Sequence, residues 1–130
     1  LFIKEKLMYR LKIFTHFAAA HNLMHYEGDC EHLHGHNWKV EVTVCAQELD
    51  QAGLGIDFKI LKARTKEVLA QLDHKYLNEL EPFNQLSPSS ENIACYLFGQ
   101  LSACLNSANV AVEVVTVWES DQACASYSLT

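Results

Sequence analysis

From Tyr9 to His21 the residues Leu11, Ile13, Thr15, Phe17, Ala19 and His21 share one parity, the two-residue period of a strand with one buried face. Residues 22–31, with Gly28 and Asp29, read as a loop, and alternation returns from His36 to Leu49, where Val40, Val42 and Val44 face one way. The two runs predict an antiparallel pair. After the turn Asp50-Gln51-Ala52-Gly53, Asp57 is placed to cap a helix whose inner face carries Leu61, Val68, Leu69 and Leu72. The stretch Leu72 to Asn78 has no clear period. A second helix is predicted to start at Ser89 or Ser90, with Glu91 in its first turn and Ile93, Leu97, Leu101 and Cys104 or Leu105 spaced for burial. Val110, Val112 and Val114 begin an alternating strand that runs through Trp118 and Glu119, and residues 123–129 supply a short last one. The order ββααββ predicts an α+β subunit, a four-stranded antiparallel sheet with two helices on one face. Such a sheet leaves its other face and its edges to be protected, and with little charge at its margins the chain is expected to oligomerise.

The 130 residues suit one domain, 1–130, with a single core. No segment has the unbroken apolar run of a membrane span, and residues 1–10 mix charge with apolar residues rather than forming a secretory signal; Met8 is a candidate start. Five cysteines, at 30, 45, 95, 104 and 124, make an odd set without the spacing of a disulfide framework, which favours reduced thiols and a cytoplasmic location. Cys45, Cys95 and Cys104 fall in apolar periodic segments and read as small core residues. A net charge of −6 argues against a nucleic-acid surface, so an anionic substrate must find positive charge locally, from a metal or a few lysines.

Chemistry concentrates in Cys30-Glu31-His32-Leu33-His34-Gly35-His36, with His21 nearby at the end of its strand. His34 and His36 are two apart, so at the start of a strand their imidazoles project to one face, and Gly35 keeps the opposite face clear. Three neutral imidazoles would hold zinc with its fourth position free for water or substrate, the arrangement of a catalytic site. Two other readings stay open on spacing alone: a chance cluster of histidines, or a closed structural site that uses Cys30 as a ligand. Asp57 and Ser89-Ser90-Glu91 have ordinary roles as helix caps, and Glu119 could be a solvent-facing carboxylate.

Six signals stand in order over nearly the whole chain: Phe17-Ala18-Ala19-Ala20-His21; Cys30 followed by His34-Gly35-His36-Asn37; residues 53–58 ending Ile56-Asp57-Phe58; Leu72-Asp73-His74 with Leu77-Asn78; Pro88-Ser89-Ser90-Glu91-Asn92; and Trp118-Glu119-Ser120. Together they resemble the 6-pyruvoyl-tetrahydropterin synthase family, which includes the bacterial 6-carboxytetrahydropterin synthases of the queuosine pathway. The resemblance implies a T-fold subunit whose trimers close their sheets into a barrel and stack in pairs into a homohexamer, with active sites between subunits. It implies zinc held by His21, His34 and His36, proton transfer by Cys30, Asp73 and His74, a pterin ring anchored by Glu119, and Ser89, Ser90 and Glu91 close to that ring. His25 and His32 match no family ligand.

The implied substrate is 7,8-dihydroneopterin triphosphate, whose side-chain hydroxyls zinc would acidify as a Lewis acid. Cys30 would serve as a base once a metal or cation lowers its pKa, with His74 as shuttle and Asp73 orienting it, while the Glu119 carboxylate would accept paired pterin N–H bonds. The three residues between Cys30 and His34 match the carboxy-forming bacterial enzymes, so the expected products are 6-carboxy-5,6,7,8-tetrahydropterin, acetaldehyde and triphosphate. Elimination to 6-pyruvoyltetrahydropterin is the alternative outcome, and a zinc- and pterin-binding module without turnover is a third.

Overall fold

Alternating apolar side chains give this chain its frame. In the computed structural model, which describes residues 7–27 and 32–129, β1 (Tyr9–His21) and β2 (His34–Ala46) pair antiparallel from Tyr9 opposite Ala46 to His21 opposite His34. One parity of each strand turns inward: Ile13, Phe17, Ala19 and His21 on β1, and Trp38, Val40, Val42, Val44 and Ala46 on β2. The other parity carries Arg10, Lys12, Phe14 and His16 opposite Cys45, Thr43, Glu41 and Lys39, and this outer face holds the ion pairs Lys12–Glu41 and Lys39–Glu41.

Asp57 caps α1 (Phe58–Leu69), its carboxylate accepting the Lys59 N–H at 2.8 Å. Ser89 caps α2 (Ser90–Leu105), its hydroxyl accepting from Asn92 N at 3.2 Å. The helices bury Leu61, Thr65, Val68 and Leu69, and Ile93, Ala94, Leu97, Leu101 and Leu105; α1 packs on β1, and α2 on β4 (Val110–Ser120) and β5 (Ala123–Ser128). Leu72 is buried as expected, in the turn beyond α1.

The sheet order is β3-β1-β2-β4-β5. Four of the strands are those expected, and a fifth corrects the count: β3 (Lys75–Tyr76) lies parallel to β1 at Ala19 and Ala20. Two residues are too few to leave a periodic trace. A second correction concerns phase. Between β2 and β4 the register shifts, because Val112 faces Val44 while Val114 faces Thr43, so Glu113 is an extra residue on β4. This β-bulge moves the inward parity from Val110 and Val112 to Val115 and Val117, and leaves Val114 only half-buried. A third concerns the thiols: Cys45 is buried as expected, but Cys95 and Cys104 lie on the exposed side of α2, and Leu105 fills the inner position. Among the described residues no helix is long and apolar enough to cross a membrane.

Candidate metal centre

His21 ends β1, His34 begins β2 directly opposite, and His36 follows on the same face, so the antiparallel register gathers three imidazoles at one end of the core. Below them Trp38, fully buried, presents its ring to His21 (centroids 4.9 Å, 83°) and to His36 (5.1 Å, 76°) and donates from Nε1 to the Ala19 carbonyl at 3.2 Å. The indole is the floor of the cluster.

Outer partners orient two of the rings. His21 Nδ1 lies 2.7 Å from the Pro88 carbonyl, and His34 Nδ1 lies 2.6 Å from the His32 carbonyl. A carbonyl only accepts, so each Nδ1 carries the hydrogen, and in a neutral ring Nε2 is left with a bare lone pair. Burial, foremost, lowers the His21 pKa, and burial likewise leads in lowering that of His36, so both rings stay neutral further into acid than a free histidine.

The fourth member is Glu119. Its Oε1 stands 3.0 Å from His36 Nε2, 3.2 Å from His21 Nε2 and 4.0 Å from His34 Nε2. The bulge at Glu113 puts it on the inward parity of β4, and a second irregularity, at Glu119 itself, aims it: Trp118 pairs with Cys124 and Ser120 with Ala123, leaving Glu119 as the unpaired residue. One donor atom from each of His21, His34, His36 and Glu119 falls within 4.8 Å of the others.

These residues fit a metal ion. His21 Nε2 and His34 Nε2 are 3.1 Å apart, two lone pairs directed at each other, whereas donors around a tetrahedral zinc stand roughly 3.3 Å apart. His36 Nε2 is buried with no hydrogen-bond partner among the described residues. A cation at the centre satisfies all three nitrogens, and an N₃O set suits zinc. The mouth stays accessible: His34, His36 and Glu119 keep 30%, 24% and 33% of their side-chain surface, against 1% for His21.

Asp73 and His74 sit apart from this cluster, at the β3 side of β1. Asp73 Oδ1 accepts the Ala18 N–H at 2.9 Å and lies 3.1 Å from His74 Nδ1, and the His74 N–H donates to the Ala18 carbonyl at 2.6 Å. His74 adopts φ +59°, a left-handed backbone uncommon outside glycine, and this turn leaves its ring 81% exposed. The carboxylate pKa is lowered, chiefly by the Ala18 N–H and then by His74. A cleft of about 550 Å³ is lined by both His36 and His74, with Ala18, Ala20 and Gly35 providing its room.

Ser89 spends its hydroxyl on the α2 cap, Ser90 is half-buried in the first turn, and Glu91 is exposed. Cys30 lies outside the described residues. Three supports escaped the sequence reading: Trp38, the Pro88 carbonyl, and Asn78. Asn78 holds the residue after His21 at both ends, Oδ1 accepting from Asn22 N at 3.0 Å and Nδ2 donating to Asn22 O at 2.9 Å. The motif signal was present in the last two, since Pro88 and Asn78 stand within the quoted runs; their contacts are tertiary.

A family model described as 6-pyruvoyl tetrahydropterin synthase matches residues 10–129. The 6-carboxy-5,6,7,8-tetrahydropterin synthase of Synechocystis sp. is 40% identical over 90 residues, covering 65% of this chain and 68% of that protein. A dihydroneopterin monophosphate aldolase from Pyrococcus furiosus is 30% identical over 120 residues, 92% of this chain and 94% of that one. Among solved structures, the Caenorhabditis elegans 6-pyruvoyl tetrahydropterin synthase superposes with a TM-score of 0.84 at 27% identity, covering 98% of this chain and all of that one.

Proposed function

Because this chain belongs to the 6-pyruvoyl tetrahydropterin synthase family, we propose that it is a zinc-dependent lyase converting 7,8-dihydroneopterin triphosphate to 6-carboxy-5,6,7,8-tetrahydropterin, acetaldehyde and triphosphate. The observation that carries this reading is the convergence of His21, His34, His36 and Glu119 at the end of the sheet. Zinc bound there would supply Lewis acidity toward the substrate's side-chain hydroxyls. The remaining work falls to the chain. Cys30 takes a proton from the side chain as its base, and His74, held by Asp73 through Nδ1, offers Nε2 as the shuttle. Glu119 accepts the pterin N–H pair, and the α2 start, Ser89, Ser90 and Glu91, borders the ring.

The reading includes a homohexamer of two trimers with sites between subunits, and the cleft that His36 and His74 line, with the His74 side chain exposed, leaves room for another copy to complete it. The same reading places the enzyme in a cytoplasm, where its thiols would stay reduced.

The test is the product. Purified protein loaded with zinc and given dihydroneopterin triphosphate should release acetaldehyde, and Cys30→Ala should abolish release with zinc content unchanged. 6-Pyruvoyltetrahydropterin as sole product would replace this reaction with the family's other one. The aldolase relative, which matches over more of the chain than the synthase does, favours a second reading: carbon–carbon cleavage of a monophosphate ester. Running the same assay on dihydroneopterin monophosphate separates the two, since preference for that ester supports the aldolase.

A further inference from the structure

Resting on the reading that His21, His34 and His36 hold zinc, we propose that Glu119 is the fourth protein donor in the substrate-free centre, so that substrate enters by displacing a carboxylate. The sequence anticipated three imidazoles and a free fourth position. Instead Glu119 Oε1 lies 3.0 and 3.2 Å from two of the Nε2 atoms and 4.0 Å from the third.

Those distances are not hydrogen bonds. The rings of His21 and His34 carry their hydrogens on Nδ1, toward carbonyls, so their neutral Nε2 atoms have no hydrogen to donate to Glu119 Oε1, and the buried His36 Nε2 has no hydrogen-bond partner among the described residues. Nor does any lysine or arginine among the described residues pair with Glu119, although two-thirds of its side chain is covered. A carboxylate so placed is explained by a cation that it and the nitrogens share. Two irregularities of β4 bring it there, at Glu113 and at Glu119 itself, whereas unbroken alternation from Val110 would have turned it to the other face.

No redox step would be needed: with zinc bound, the Glu119 carboxylate would give up its place to neutral substrate hydroxyls, and its oxygens would be free to accept pterin N–H bonds. Anchoring the ring and clearing the metal position are then one movement of one side chain.

Zinc affinity of the wild type and of Glu119→Gln, measured by competition with a chromophoric chelator, tests this without turnover. The amide, a neutral and weaker donor, should weaken zinc binding by at least the roughly ten- to hundredfold that loss of an outer-shell partner costs. Infrared difference spectra of the wild type, with zinc minus without, should show a displaced carboxylate stretch that is missing in the variant. Equal affinities within a factor of about two overturn the fourth donor and leave the three-histidine reading intact, as does a weaker variant with no carboxylate change in the wild type, which would mean that charge acts only through space. If the wild type takes up no zinc, the metal reading itself falls. Should Glu119→Gln not fold, the wild-type infrared spectrum decides alone.

Discussion

Replacing Trp38 with phenylalanine separates the support of the metal centre from the ligands themselves. The indole is fully buried, stacks near-parallel on Phe17 with centroids 5.8 Å apart, and touches the edges of His21 and His36 without donating to either. Phenylalanine keeps the stack but removes roughly 40 Å³, which at about 24 cal/mol per Å³ of unfilled space costs about 1 kcal/mol. It also deletes the 3.2 Å bond to the Ala19 carbonyl, about 1 kcal/mol more. The zinc-free protein should therefore lose about 2 kcal/mol, a fall in melting temperature of about 6–10 °C for a chain of this size.

The larger consequence is for metal affinity. His21 and His36 rest against the lost ring, so their freedom increases and zinc affinity should drop about ten- to a hundredfold. Urea unfolding of the zinc-free protein gives the first quantity and chelator competition the second. Leu101→Ala is the control: Leu101 is fully buried on α2, about 17 Å along the helix axis from Ser90, and its loss should cost about 2–5 kcal/mol while leaving zinc affinity unchanged. If Trp38→Phe binds zinc as tightly as the wild type, or if Leu101→Ala loses affinity to the same degree, the indole does not position the ligands.

Three further outcomes are expected. Ser89→Ala removes the α2 cap, should cost about 0.5–2 kcal/mol in urea unfolding, and should also weaken zinc binding, because the Pro88 carbonyl that orients His21 precedes it. Zinc at a hundred times its dissociation constant should stabilise the folded chain by about 2.7 kcal/mol, read as a rise in melting temperature that a chelator reverses. Asp73 has a lowered pKa, owing first to the Ala18 N–H, so its carboxylate stabilises the fold fully above the unfolded carboxyl value of about 3.9, and that contribution is lost as pH falls through the folded value. The stability advantage of the wild type over Asp73→Asn should thus be constant near neutrality and shrink below about pH 4, as urea midpoints across pH would register.

The sequence carried the strands and helices because each has a buried face with its own period. Tyr9 to His21 alternates without interruption, and the first helix has its Asp57 cap and apolar stripe where the pattern puts them. His34 and His36 were legible as a pair for the same reason, two residues apart on a strand. What failed to show was whatever breaks a period or depends on another element. Val114 looks like the third member of the series from Val110, and no local residue announces that Glu113 doubles up against β2. Lys75–Tyr76 pairs only because His74 turns into the left-handed region and bonds to Ala18. Cys104 and Leu105 are both apolar neighbours at the end of α2, and packing against the sheet, rather than composition, decides that leucine goes inward.

The same interruption that hides the site from a periodic reading is what builds it. β1 and β2 supply their three imidazoles by regular pairing, since His21 and His34 are directly opposite and His36 is two residues on. Unbroken alternation from Val110 would turn Trp118 inward and Val115, Val117 and Glu119 outward, which would take the carboxylate off that face and empty the core under the cluster. One extra residue at Glu113 lets the strand bury Val110 and Val112 at one end and Val115 and Val117 further on, with Glu119 in phase at the far end. The outward phase then gives Trp118 its own use, donating from Nε1 to Glu41 at 3.1 Å beside Lys39. Core packing therefore fixes the position of Glu119. A change that straightens the strand at Glu113 should disturb zinc affinity only if it also shifts Val115 and Val117 from their places opposite Val42 and Val40, so deletion of Glu113, which restores ordinary pairing and preserves those partners, should leave the metal centre assembled.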